Sequence, residues 1–466
     1  MKPLPNQRLK QHANTLFVTL FLTAIIGVIL VSYLTVTSLQ YSITVRSEAY
    51  NFALPVVEAG IEEALSHLNE NGMTNVLLPQ NPLPYIYNNG WVATNGVAVM
   101  RRSIGTARYV VSISSTGAAP VIECVAYTPA PVRLAGGGNA IFATVGANPT
   151  ASAEVQRAVR VTAKTNPLFK YALVVKKFIN SNGNSSLVDA FDSANPLYST
   201  NGKYDAAKAQ DGGGVATLSS LANQLSFGSI QVFGRVATAP GGSISIPAWD
   251  VGTHAWIAAN AKGIQPGMFT TDFNASFPDV QAPFASALPP TGATVGGIGY
   301  AYVLSSGNWM ISSGTVHGKV LVTGDATLYV TKNAAVSFVS TDSITISTNA
   351  SLRLYVGSPT ATLPNLVNTN TPDKFVYFGL PTNTNLVQNV NADFVGSVYA
   401  PSAKYTLGGN GTGSEQKISG ASITDSVYFN DFFTFHYDLN LARVGLSTGF
   451  VANSWSEVDP TTLVAR

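Results

Sequence analysis

Residues 11–45 of this chain contain no Asp, Glu, Lys or Arg, and their centre, Thr15–Val36, is almost wholly apolar. A helix rises about 1.5 Å per residue, so Thr15–Val36 reaches about 33 Å, enough to cross a hydrocarbon core of about 30 Å. Thr15, Phe17, Phe21, Ile26, Ile29 and Val36 are therefore expected to span the membrane. Lys2, Arg8 and Lys10 precede the segment, and Arg46 is the first charge after it. The positive-inside bias predicts a cytoplasmic N-terminus and an extracytoplasmic bulk, the topology of a single-pass inner-membrane protein. A cleaved secretory signal is the rival reading. Its apolar core usually has about 7–15 residues before a small-x-small site, whereas this one is longer and runs on into more helix, which favours a retained anchor.

Helical periodicity continues beyond the apolar run. Val45, Ala49, Phe52, Val56, Gly60, Ala64 and Leu68 recur at three- and four-residue steps, with Arg46, Glu48, Glu62, Glu63 and Glu70 mostly off that stripe. The pattern predicts one helix from about Asn14 to Leu68, kinked at Pro55 and stopped by Asn69–Gly72. A helix outside the bilayer keeps one apolar face only if something covers it. Val45, Phe52, Val56, Gly60, Ala64 and Leu68 are thus expected to pack under the chain's own β unit or against neighbouring subunits.

The rest of the chain reads as strands. Charged residues are 11% of the chain, net charge is +2, and no basic block occurs, which argues against a nucleic-acid partner. Arg108–Ser114 and Val121–Tyr127, around a turn at 115–117, and the alternating Gln156–Thr165 predict a small α+β unit on the end of the helix. The Gly-rich piece Ala135–Asn148 reads as a loop or strand edge. Beyond Phe169, short apolar clusters recur: Ser243–Ile246, Lys319–Val322, Leu328–Val330, Val336–Phe338, Ile344–Ile346 and Leu352–Val356. Short strands at regular spacing fit a sandwich, a barrel or a solenoid; the rhythm favours a right-handed parallel β-helix whose rungs bury apolar residues by stacking. The Pro-rich stretch Phe277–Pro290 reads as a surface excursion, and the segment after Leu441 shows no clear periodicity. The expected class is α+β, mostly β. Its parts are a leader (1–13), a transmembrane and exported helix (14–71), a small β unit (72–165), a β-helix-like ectodomain (166–442) and a tail (443–466).

Chemistry-bearing residues are sparse. Cys124 is the one cysteine and sits in an apolar strand, so it reads as a buried thiol. His12, His67, His254, His317 and His436 have no metal-ligand spacing. Gly314–Lys319 lacks the spacing and the final Ser/Thr of a phosphate loop. Asp189 and Asp192 read first as turn caps and second as a calcium or glycosidic pair. No catalytic, cofactor or metal set is therefore expected, and a non-enzymatic surface subunit is favoured over a membrane-tethered carbohydrate-active enzyme or lectin.

The apolar run followed by Glu58-Ala59-Gly60 and Glu63-Ala64-Leu65 resembles the N-terminal segment of PilX-like minor pilins of type IV pilus systems. Lys170–Leu173, Asn182–Asn184, Asp189–Ser193, Gly396–Pro401 and Phe435–Asp438 are similar to blocks of large pilin-like surface proteins. The resemblance covers most of 14–70 and, more patchily, 165–442. It implies a pilin-type helix, a β-helical ectodomain and partners among the membrane, pilin-like subunits or other copies of itself, with a surface carbohydrate or matrix ligand in an adhesive role. One departure is plain. No Gly precedes the apolar run and no Glu lies in it; cleavage after Asn14 would put Thr19 where such pilins carry their Glu. The departure implies a minor, capping or membrane-retained role.

Overall fold

The computed structural model describes residues 10–69, 90–94, 97–114, 119–130, 153–181, 186–226, 230–244, 249–259, 261–388, 393–408, 415–429, 432–444 and 446–463. The turn at 115–117, the Gly-rich 135–148, the stop at 70–72 and Asn182–Asn184 lie outside them. Two compact units divide the described residues, one holding those up to Thr165 and from Phe450 onward, the other those within Asn166–Gly449.

In the first unit one helix, α1, runs Lys10–Asn69 and continues through Pro55. Strands β1 (Val92–Thr94), β2 (Val97–Ile104), β3 (Ala107–Ser114), β4 (Val121–Ala130) and β5 (Ala153–Pro167) follow. Each pairs antiparallel with the next described strand. Alternation sends Val111, Ile113, Ile122, Cys124, Val159 and Val161 to one face, where they are buried with part of α1. The chain's last strand, Ser447–Val458, adds beside β5 as the sixth strand. This corrects the reading of 443–466 as an unpatterned tail. Half of that strand is exposed in one unbroken run, so its residues carry no alternating signal. Polar bonds hold it: Arg157 pairs with Glu457 at 3.1 Å, and Asn69 at the end of α1 exchanges two hydrogen bonds with the Phe450 backbone, at 2.9 and 2.6 Å.

The second unit is built of parallel ladders. One aligns Tyr302, Val320, Ile344 and Leu366 on successive strands. A second aligns Trp309, Leu328, Leu354, Tyr377 and Val398. A third aligns Val316, Val336, Ala361, Leu386 and Tyr405. The chain visits the three in turn and then returns to the first, so each visit lays one apolar side chain over its predecessor. Ile344 and Ile346 are buried while Thr345 between them is half-buried. The late strands pair in turn with the early ones: Ser422 with Leu173, Val427 with Ile179, Phe435 with Val188. From there Val188, Val232 and Val251 extend the stack.

That order requires the chain to travel the length of the stack between its early and late strands. Residues 271–290 make that journey. Tyr399 donates to the Pro278 carbonyl at 2.7 Å, Phe284 meets Tyr329 edge-on at 6.0 Å, and Met310 N–H donates to the Leu288 carbonyl at 3.0 Å. The Pro-rich stretch read as a surface excursion is thus a strap lying along the second ladder. Its prolines lack the N–H that a ladder position would need.

Candidate functional site

The apolar half of α1 is the most unusual surface in the chain. Thr15, Phe17, Phe21, Ile26, Ile29 and Val36 are all exposed, Phe17 to 71%. Leaving so many large apolar side chains in water costs about 25 cal/mol per Å² of apolar surface, so the bare cylinder requires an apolar surrounding. Its polar residues are prepared for one. The hydroxyls of Thr19 and Thr23 donate to carbonyls three residues back, and those of Ser32, Thr35 and Thr37 to carbonyls four residues back. Every such hydroxyl is satisfied inside the helix, as hydrocarbon demands. The segment is the one candidate membrane span among the described residues.

The C-terminal half of α1 packs on the sheet. Ala53, Val56, Val57, Gly60, Ile61 and Ala64 form its buried face. Gly60 lets the backbone approach closely, because a Cβ there would stand 2.5 Å from Cys124 Sγ and 2.9 Å from the Tyr109 ring. His67 stacks on Trp91 with centroids 4.8 Å apart. Glu63 receives the Tyr109 hydroxyl and, at 2.6 Å, the Arg102 guanidinium. Burial first, and then Glu63, push the Tyr109 hydroxyl well above the usual phenol range.

Of the six residues expected on the packing stripe, Val56, Gly60 and Ala64 are buried, Val45 and Leu68 are half-buried, and Phe52 is 55% exposed. Phe52 is therefore not covered by the chain's own β unit. A ladder of four-residue steps drifts by about 40° per step on a helix of 3.6 residues per turn. Followed back from Gly60, it leaves the buried face before it reaches Phe52. The residues missed, Ala53, Val57 and Ile61, complete an i, i+3, i+4 pattern with Val56, Gly60 and Ala64 that mixed three- and four-residue counting reveals.

In the second unit the strand pairing brings Asp189 beside His436. Asp189 faces His436 Nδ1 at 2.6 Å and accepts the Tyr204 hydroxyl at 2.7 Å, and the Tyr204 and His436 rings stack at 3.5 Å. Burial and then Asp189 raise the Tyr204 hydroxyl. On the other side, Thr434 Oγ1 lies 3.1 Å from His436 Nε2 and donates to Glu415 at 3.0 Å. A hydroxyl has one proton, so Thr434 can give it to Glu415 or to Nε2 but not to both at once. An Asp–His–hydroxyl line can move a proton where a substrate reaches the hydroxyl. Here Asp189, His436 and Thr434 are each no more than 2% exposed, so the line is sealed. It cross-links the strands Phe433–Asp438 and Ser186–Phe191, and through Thr434 it reaches Glu415, the residue before the neighbouring strand Gln416–Phe429.

Asp192 does cap a turn: it accepts Ala194 N–H at 3.0 Å and pairs with Arg443. Asp189 does not, which corrects that reading for this residue. Asp438 Oδ1 accepts the N–H groups of Ser193 and Asn440, each at 3.0 Å. Burial nevertheless outweighs those bonds and holds the Asp438 carboxyl above its usual range. Among the described residues no three His, Cys, Asp or Glu gather as a metal site.

Residues 293–444, less than half of the chain, match a family model described as "Domain of unknown function (DUF7305)". They span the three ladders, from Tyr302 to Tyr405, and the strand Phe433–Asp438. No curated protein matches the chain. Among solved structures, it is similar to the competence-associated pilin ComZ from Thermus thermophilus at 12% identity, over 88% of this chain and 97% of that one. The TM-score of that match is 0.23, too low to bear on the fold.

Proposed function

We propose that the chain is a membrane-anchored, non-enzymatic surface-assembly subunit, a PilX-like minor pilin of a type IV pilus system, with its N-terminus in the cytoplasm. The observation that carries this reading is the division of α1: bare and apolar over Thr15–Val36, packed under a sheet over Ala53–Ala64. A plain anchor needs only the first half. Fusing that anchor rigidly to a folded unit suits a subunit whose position is set by neighbours. The ladders of the second unit are read as a right-handed parallel β-helix that presents a surface for adhesion to carbohydrate or matrix. The sealed Asp189–His436–Thr434 line favours presentation over catalysis.

Single cysteines at Val28, Ile29 and Val31, in a Cys124→Ser background, test the assembly reading. Oxidation of membranes should link subunits through at least one of these positions, and protease added to spheroplasts should degrade the chain beyond Arg46. Uncross-linked monomer at every position, or full protection beyond Arg46, would overturn it.

A further inference from the structure

The second unit carries a cleft of about 360 Å³ that plays no part in the packing described above. It lies between the chain's entry into the ladders, Asn166–Tyr171, and the start of the strap, Phe273–Pro278. Its size is at the small end of ligand sites, which run about 300–1,000 Å³. Tyr171 and Phe273 meet edge-to-face at 5.5 Å in its wall, and Phe277 adds a third ring. Beside the rings the lining mixes amide and hydroxyl groups with the apolar Pro167, Leu168, Val174 and Pro278. Asn166 Nδ2 donates to Thr448 Oγ1 at 2.7 Å and Asn166 Oδ1 receives Lys170 Nζ at 2.6 Å, so this side of the wall is held in place. The side chains of Tyr171, Asn274 and Ser276 also line the cleft, and none of the three has a hydrogen-bond partner among the described residues. Lys170 is the one charged residue in the lining, and its ammonium is engaged with Asn166.

We infer that this cleft binds an uncharged saccharide, one or two pyranose rings at the end of a glycan. The inference rests on the adhesive reading above and gives it a place. A pyranose offers an apolar face of C–H groups and an edge of hydroxyls. Aromatic faces carry negative charge that attracts the C–H face, and free amide and hydroxyl groups answer the edge. A peptide or an acidic sugar would bring charges for which the lining holds no second partner. Among the described residues the lining contains no carboxylate, whereas glycoside cleavage ordinarily uses two flanking the bond.

Saturation-transfer NMR on the detergent-solubilised full chain tests this with methyl α-mannopyranoside, methyl β-galactopyranoside, methyl β-glucopyranoside and N-acetylglucosamine. Glucuronate and a neutral tetrapeptide serve as comparisons. At least one neutral sugar should show transfer to its ring protons. Tyr171→Ala should weaken that binding by about tenfold or more, a loss of about 1.4 kcal/mol. Ser276→Trp, a change at an exposed lining residue that should leave the melting temperature in place, should abolish the signal. The inference is overturned if no neutral sugar binds, if binding survives Ser276→Trp, or if only glucuronate or the tetrapeptide binds. Helix cross-linking in membranes reads the assembly proposal separately: cross-links without sugar binding sink only the saccharide site, and the reverse sinks only the assembly.

Discussion

The two units solve burial differently. In the first, each strand from β1 to β5 pairs with a described neighbour in sequence, and the sheet's apolar face is closed by a helix laid across it. In the second, an apolar residue such as Ile344 is stacked between Val320 and Leu366, each one circuit of chain away, and the stack is joined by pairs as distant as Ser422 and Leu173. A defect in the first unit exposes one contact between helix and sheet. A defect in the second removes support from the strands on both sides, because each rung is buried only by its neighbours.

The largest effect should break the ladders. Ile346→Asp puts an unpaired charge at a position 1% exposed and should cost more than about 5 kcal/mol. Thermal denaturation should show the second unit losing its cooperative transition, while Thr345→Asp leaves the midpoint nearly unchanged. Equal effects at the two positions would show that the stack does not alternate as described.

The halves of α1 sharpen the same contrast. Ile61→Ala removes a side chain 2% exposed between helix and sheet and should destabilise the first unit by about 2–5 kcal/mol. The second unit should melt unchanged; a matching drop there would deny the units their independence. Ile26→Arg should instead leave both transitions alone and cost about 2.5–3.5 kcal/mol of membrane insertion, read as a shift from inserted to uninserted chain in an insertion assay.

A smaller effect is pH-dependent and belongs to the second unit. The folded state holds the Asp438 carboxyl above its usual value of 3.8. Between 3.8 and that raised value the folded chain binds more protons than the unfolded one. Its contribution is therefore fully present below 3.8 and is lost as pH rises through the raised value. Denaturant midpoints taken up that acid limb should fall less steeply in Asp438→Asn than in the parent; parallel curves would refute the assignment. Smallest of all, Phe52→Ala should shift the melting of the isolated chain by less than about 0.5 kcal/mol, since Phe52 is 55% exposed. A strong effect on cross-linked assembly with no effect on melting would mark Phe52 as a contact to a neighbouring subunit.

Much of this architecture is written locally. An uncharged run longer than a bilayer, a helical period that outlasts it, and the alternation of Ile344, Thr345 and Ile346 are properties of neighbouring residues, so the chain's own order expresses them. The buried thiol of Cys124 is legible for the same reason. What local pattern does not contain is which distant residues meet. The rotation of the helix that buries Ile61 and exposes Phe52 is chosen by the sheet beneath it, where Gly60 settles onto Cys124. The final strand joins β5 as a neighbour in the sheet and carries almost no periodic signal. Asp189 meets His436 because late strands stack beside early ones, and the aromatic cleft exists because the strap begins beside Tyr171. Each of these is a contact between segments far apart in the chain. Only the folded stack sets their spacing, since the free energy that holds them comes from burial shared across the ladder rather than from either segment alone.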